Sequence, residues 1–175
     1  MNLVYGGGTV GLMGEIARTL VALAGPDSVH GITLEVFVKS ENHDPFSPSG
    51  HRITESIYGR TTIVKDMHTR KSRMFEEVME GGPGGGFVAL SGGFGTLEEL
   101  IEITTWKQLN LHHFPIVVYN VENYWKSLKE WIQSAVSMSF VEKENADIIR
   151  VVDDAEGVMR VLASHEDLAW VMSKL

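Results

Sequence analysis

A rhythm in the sequence narrows the fold most: short apolar or β-branched runs alternate with amphipathic stretches of roughly ten to fifteen residues. Asn2–Tyr5, Ile32–Val38, Thr61–Lys65, Phe87–Leu90, Ile116–Tyr119 and Ile148–Val152 read as strands. Helical patterns fall between most of them, at about 9–24, 67–80, 95–111, 124–138 and 155–163. Such alternation builds βαβ units, which demand a parallel sheet with helices on both faces. The expected fold is therefore α/β, a Rossmann-like doubly wound parallel sheet. With 175 residues and 43% hydrophobic content the chain is long enough for one full core, so a single domain over 1–175 is expected.

Two segments interrupt the rhythm. Lys39–Arg60 carries Pro45, Pro48, Gly50 and Gly59 among polar residues and reads as a long loop. Gly81-Gly82-Pro83-Gly84-Gly85-Gly86 follows a helix and precedes a strand, so it lies at the amino ends of the strands and reads as a flexible connector.

Charge and composition exclude several classes of partner. The formal net charge of −8 would repel a phosphate backbone, so nucleic acid is not expected as a partner. With 0 cysteines there is no disulfide framework, no thiolate zinc site and no cysteine nucleophile. The histidines, at 30, 43, 51, 68, 112, 113 and 165, show no H-x-x-x-H or H-E-x-x-H spacing, and no metal is implied. No apolar run approaches the roughly 18–20 residues of a membrane span and no leader pattern opens the sequence. The expectation is a cytoplasmic protein without membrane partners.

Glycine, at 18 residues, clusters at a few turns. Phe87-Val-Ala-Leu-Ser-Gly-Gly-Phe-Gly-Thr-Leu-Glu-Glu99 reads as a buried strand running into glycines and then a helix. A glycine turn lets an oxyanion approach the backbone, and the open N–H groups and positive dipole end of the following helix bind it. Gly92, Gly93, Gly95 and Thr96 are thus candidate phosphate ligands, in a spacing that matches neither the P-loop nor the dinucleotide fingerprint, and a monophosphate fits best. An alternative stands beside this reading: Thr96 and Glu99 have capping-box spacing and could satisfy one another's backbone N–H groups in the first turn. Gly6-Gly7-Gly8 after the first strand makes a second glycine turn, with Gly7 and Gly8 as candidate floor of the same pocket, while Gly11 and Gly14 suit close helix packing. In the segment from Met67 to Met74, Arg70 or Lys71 lies in line with the two methionines rather than opposite them. A cation on an apolar stripe needs an anionic partner, and the alternative is a solvated basic face.

Together, Gly6-Gly7-Gly8-x-x-Gly11-Leu12-Met13-Gly14, Met67-His68-x-Arg70-Lys71 and Gly92-Gly93-x-Gly95-Thr96-x-x-Glu99 resemble the motifs of the LONELY GUY (LOG) family of cytokinin-activating phosphoribohydrolases, a family also labelled lysine decarboxylase. The likeness continues through Trp106-x-Gln108-Leu109, His112, Pro115 and Tyr119-Asn120 to about residue 163. The resemblance implies a nucleotide-binding domain that hydrolyses the N-glycosidic bond of nucleoside 5′-monophosphates. N6-modified adenylates are the implied substrates and adenosine monophosphate a second candidate, with no cofactor. It places the essential pair on Arg70 and Glu99, with Gly7, Gly8, Met67, Lys71, Gly92, Gly93, Gly95 and Thr96 binding substrate. Trp106, Tyr124, Trp125 and Trp131 are more aromatic surface than one face of a small domain hides, so a homodimer that buries part of it is expected, and the family is similar in this respect. Three departures stand out. Ser91 replaces the family's proline. Asn110 and Phe114 replace a glycine and a lysine, with an expected effect on packing or oligomer contacts. Family members also carry a strand, loop and helix ahead of the Leu3–Tyr5 run, and a trimmed start is expected. The competing reading is a non-catalytic nucleotide or molybdenum-cofactor binder on the same scaffold; a carrier would need the glycines but not the Arg70 and Glu99 pair. A pyridoxal-phosphate decarboxylase finds no lysine in a cofactor context.

Overall fold

The computed structural model describes residues 1–41, 54–82 and 84–163, with side chains omitted for 39–41. Backbone contacts divide the chain into two compact units, Met1–Glu80 and Gly81–Leu175, which meet in sequence at the predicted glycine-rich connector.

The first unit contains β1 (Leu3–Tyr5), α1 (Gly11–Ala24), β2 (Val29–Leu34), α2 (Glu35–Glu41), α3 (Glu55–Tyr58), β3 (Arg60–Val64) and α4 (Met67–Glu80). Its strands form a parallel sheet in the order β1-β2-β3, in a register that pairs Tyr5 with Gly31 and Leu34 with Val64. Alternation along the strands sends successive side chains to opposite faces. Tyr5 and Val29 pack with Ala17 and Val21 of α1, while Ile32, Leu34 and Val64 pack with Met74 of α4 on the other face. Burial with desolvation pushes the Tyr5 phenol up to about 12. His30 ties β2, β3 and α4 together: Nδ1 lies 2.6 Å from Glu77 Oε1 and Nε2 lies 2.8 Å from Thr62 Oγ1.

The second unit contains β4 (Phe87–Ala89), α5 (Phe94–Gln108), β5 (Ile116–Tyr119), α6 (Lys126–Ser137), β6 (Ile149–Val152) and α7 (Ala155–Leu162). Its parallel sheet runs β4-β5-β6, with Ala89, Val118 and Val151 in register. Ile116, Val117 and Val118 of the central strand are fully buried, each contributing about 1.5–3 kcal/mol of burial free energy. Leu100 of α5 and the buried Trp125 close one face over Ile116, Val118 and Ile149. The helix α7 covers the other face, where Asp154 caps it by accepting a 2.5 Å bond from the Gly157 N–H. Both units are thus parallel sheets flanked by helices, as the alternation predicts and as a Rossmann-like fold requires.

Several boundaries differ from those read off the sequence. Ile32–Val38 was expected as one strand, but β2 starts at Val29 and ends at Leu34, and Glu35–Val38 are helical. The cause is pairing: β3 runs out opposite Leu34 at Val64, and β-branched residues without a neighbouring strand have no ladder to join. Of the expected loop Lys39–Arg60, Lys39–Glu41 complete α2, Glu55–Tyr58 form a helical turn and Arg60 opens β3; residues 42–53 lie outside the described residues.

Candidate active site

In the first unit the glycine turn lies between the carboxyl end of β1 and the start of α1. Gly7 has φ +74°, which L side chains rarely adopt, and Gly6, Gly7 and Gly8 are all buried. Beside them stands α4, which begins at Met67 because Asp66 caps it. The Asp66 carboxylate accepts the Thr69 N–H at 2.9 Å and the Thr69 hydroxyl at 2.8 Å. The first of these bonds is the main reason that its carboxyl titrates below the usual carboxylate range.

One turn into α4, Arg70 leaves the helix surface. Its Nε–H donates to the Ile32 carbonyl at 3.0 Å and its Nη2–H to the Gly6 carbonyl at 3.3 Å, so the guanidinium bridges the ends of β2 and β1. A Cβ built on Gly6 would overlap Nη2 and lie 3.1 Å from Cζ. Gly6 therefore provides the slot in which Arg70 lies, a role the sequence reading did not give it. The half-buried Arg70 is not on a solvated basic face, and carbonyl oxygens satisfy part of its charge. Met67 lies at the same helix end, its Sδ 4.0 Å from Arg70 Nη1, and Lys71 is half-buried on the next position. The first unit thus gathers Gly6, Gly7, Met67 and Arg70 at the carboxyl ends of its strands.

In the second unit α5 starts at Phe94, with Gly93 as its N-cap and no side-chain cap bond. That corrects two expectations, a helix start at 95 and a Thr96–Glu99 capping box. A capping box needs Thr96 at the N-cap, and Thr96 lies three positions inside, with Glu99 in the second turn. The box fails because the chain is already helical at Phe94, and the Gly93 carbonyl accepts the Leu97 N–H at 3.1 Å. The N–H groups of Gly93, Phe94, Gly95 and Thr96 are then the four that an α-helix leaves without intrahelical partners. Three of them belong to the residues singled out from sequence; Phe94 was missed because only its main chain matters to the turn. Thr96 packs its hydroxyl over Gly92, where a Cβ would overlap Oγ1. Thr96 and Glu99, three apart, lie on one face of α5, and helical side chains lean back toward the N-terminus. An oxyanion at the turn would thus have main-chain donors in front of it and a carboxylate one turn behind.

Tyr124, expected only on an aromatic dimer surface, instead donates its hydroxyl to the Gly92 carbonyl at 2.5 Å. Trp125, expected on an aromatic surface, is instead core, 4% exposed. The departure at Asn110 also reads differently in the structure. Asn110 has φ +57°, and the N–H groups of Asn110 and Leu111 return to the carbonyls of Lys107 and Trp106, which is the Schellman ending of α5. Asparagine is the side chain that best replaces glycine in that conformation, so the exchange preserves the local fold. A cavity of about 400 Å³ opens between α6 and β6 with Val118, Ile132 and Arg150 in its lining, and it takes in none of the candidate residues. Among the described residues no group of three or more His, Asp or Glu is arranged to hold a metal, and no helix is long and apolar enough to cross a membrane.

Parallel sheets with glycine turns and a helix start without a side-chain cap at their carboxyl ends form the arrangement in which α/β proteins present main-chain donors to anionic ligands. Comparison with known proteins narrows this further. Residues 13–162 match a family model described as "Possible lysine decarboxylase". The chain is 47% identical over 180 residues to a bifunctional cytokinin biosynthesis protein of Fusarium pseudograminearum, an alignment covering 98% of this chain and 36% of that protein. It is 35% identical over 176 residues to the cytokinin riboside 5'-monophosphate phosphoribohydrolase LOG7 of Arabidopsis thaliana, covering 100% of this chain and 72% of the relative. Against LOG1 of the same plant the identity is 34% over 183 residues, covering 100% and 77%. The chain belongs to the LOG family.

Proposed function

We propose that the chain hydrolyses the N-glycosidic bond of cytokinin riboside 5′-monophosphates, giving the free N6-modified adenine and ribose 5-phosphate, with adenosine monophosphate as a further substrate. Water supplies the oxygen that bonds to the sugar C1′, the bond from C1′ to the base nitrogen breaks, and a proton passes to the departing base. The observation that carries the reading is the start of α5. Its four open N–H groups from Gly93 to Thr96 can hold a phosphomonoester while Glu99 stands one turn behind. Gly92 lets the turn come close, and Gly7, Gly8, Met67 and Lys71 contribute to the same substrate in this proposal.

Departure of the base develops oxocarbenium character on the ribose, which a carboxylate stabilises while orienting the attacking water. That is the role proposed for Glu99. Arg70 is proposed to anchor either that carboxylate or the substrate. Binding energy from the remote phosphate fixes the position of the sugar. In this reading the two compact units serve one nucleotide-binding domain. The phosphoribohydrolase names of the plant relatives favour it over a carrier role. A doubly charged nucleotide does not cross a bilayer unaided, which makes the cytoplasm the proposed site of action. A homodimer is also proposed, supported by Trp131 at 58% and Phe140 at 82% exposure, large apolar groups of the kind that partner surfaces cover.

The test is release of base from isopentenyladenosine monophosphate, adenosine monophosphate and isopentenyladenosine. The proposal expects the nucleotides to react and the unphosphorylated riboside to lag far behind; equal rates would defeat the phosphate-anchoring argument. Glu99→Gln should keep the fold and lower turnover by about 10²-fold or more. A destabilised but active variant would remove Glu99 from the chemistry.

A further inference from the structure

We propose that Tyr124 is a positioning residue for the phosphate: its hydroxyl bond to the Gly92 carbonyl strengthens and aims the neighbouring main-chain donor, the Gly93 N–H. The inference rests on the reading that the Gly93–Thr96 turn receives the 5′-phosphate. It concerns a residue that neither the glycine motif nor the essential pair includes.

One peptide unit carries both the Gly92 carbonyl and the Gly93 N–H. A hydrogen bond accepted by the carbonyl oxygen polarises that unit and makes its N–H a better donor. Gly93 is the N-cap of α5, so this N–H is the first of the four open donors. The contact is 2.5 Å long and joins residues 32 apart in sequence. The turn itself is glycine-rich and has little side-chain packing of its own to fix its direction, so a clamp from outside has an effect there.

The segment that presents the hydroxyl is held from several sides. The Asn120 side chain donates to Asp153 Oδ1 at 2.8 Å and accepts the Trp125 N–H at 2.9 Å, while the Asn120 N–H donates to the Val152 carbonyl at 2.7 Å. Between these anchors Glu122 and Asn123 sit at φ +52° and +58°, both left-handed, a conformation that asparagine tolerates well and glutamate adopts less readily. Trp125, seated in the core, meets the Tyr124 ring edge-on with centroids 5.2 Å apart.

The experiment is Tyr124→Phe, which removes the hydroxyl and keeps the ring. Because the lost donor strength is felt equally in the bound substrate and the transition state, the effect falls on binding. We expect KM for isopentenyladenosine monophosphate and Ki for ribose 5-phosphate to rise about 3- to 10-fold, with kcat within about twofold of the parent. The Gly93 amide proton should move upfield in the ligand-free variant, a readout independent of activity. Unchanged KM, Ki and amide shift in a protein whose parent form prefers nucleotide to riboside would overturn the role of Tyr124 and leave the phosphate reading standing. A fall in kcat at constant KM would overturn it as well. A parent protein with no preference for the nucleotide would remove the phosphate reading, and this inference with it.

Discussion

Replacing Gly6 with alanine tests how Arg70 is held. The new Cβ would overlap Arg70 Nη2 and come within 3.1 Å of Cζ, so one of the two must move. The end of β1 is pinned by its pairing with β2, where Tyr5 lies opposite Gly31, whereas a long arginine has other rotamers. Arg70 therefore swings out and loses the bonds to the carbonyls of Ile32, at 3.0 Å, and Gly6, at 3.3 Å. Hydrogen bonds from a charged donor contribute about 1.5–3 kcal/mol each when buried. Here the guanidinium is only half-buried and returns to water, so we expect a stability loss of about 1–2 kcal/mol, a few degrees in Tm. Under the proposed function catalysis should suffer more, because Arg70 leaves the position from which it is proposed to act. We expect kcat/KM to drop about 10²-fold, which corresponds to about 2.7 kcal/mol. The decisive assay is a double-mutant cycle with Arg70→Ala. If Gly6 acts through Arg70, adding Gly6→Ala to Arg70→Ala should cost less than about threefold further. Losses that multiply, or a Gly6→Ala enzyme with full activity, would refute the slot argument.

Other substitutions and conditions give further checks. Asn110→Gly should stabilise the second unit by up to about 1 kcal/mol and Asn110→Ala should destabilise it by a similar amount, because the position is left-handed; urea melts that rank the three differently would contradict the Schellman assignment. His112 is fully buried, and burial pushes its pKa below the ordinary imidazole value of 6.5 while Nε2 stays 2.8 Å from the Ile103 carbonyl. The unfolded chain then takes up a proton near 6.5 that the folded one resists, so stability is fully present above that pH and declines below it. Thermal melts between pH 7.5 and 5.5 should show Tm falling on acidification, and His112→Phe should flatten that slope; a Tm that rises on acidification contradicts the assignment. Sedimentation at micromolar concentration should give a dimer, and a monomer alone would refute the proposed association.

The extent to which the fold could be read in advance depended on whether the signal was local. The helix at 67–80 matches its expected bounds, and its start is local, since Asp66 caps it by accepting the Thr69 N–H. Ile116–Tyr119 was likewise correct, an apolar run buried in the centre of its sheet. Glu35–Val38 was misread because strand formation there depends on β3, which ends opposite Leu34. At the site, the glycine turns, Arg70, Thr96 and Glu99 were named from sequence, and of the two readings offered for Thr96 and Glu99 the structure removes the capping box, because Gly93 is the N-cap. The missing information was where α5 begins: its N-cap is Gly93, three residues before Thr96, a boundary that pattern alone does not resolve. Tyr124 left no trace in any local window, since a hydroxyl that reaches a carbonyl 32 residues away follows from the path of the chain. Gly6 lies between these cases. Three consecutive glycines announced a close approach, but only the fold shows that Arg70 is what approaches the first of them.

Main-chain capture of the phosphate is what amide chemical shifts report on directly. Glu99→Gln protein, labelled with ¹⁵N and titrated with adenosine monophosphate, should show downfield movement of the Gly93, Phe94, Gly95 and Thr96 amide protons. Adenosine at equal occupancy should leave those four nearly still. Shifts of equal size with both ligands, or a phosphate-dependent response confined to other amides, would contradict the account.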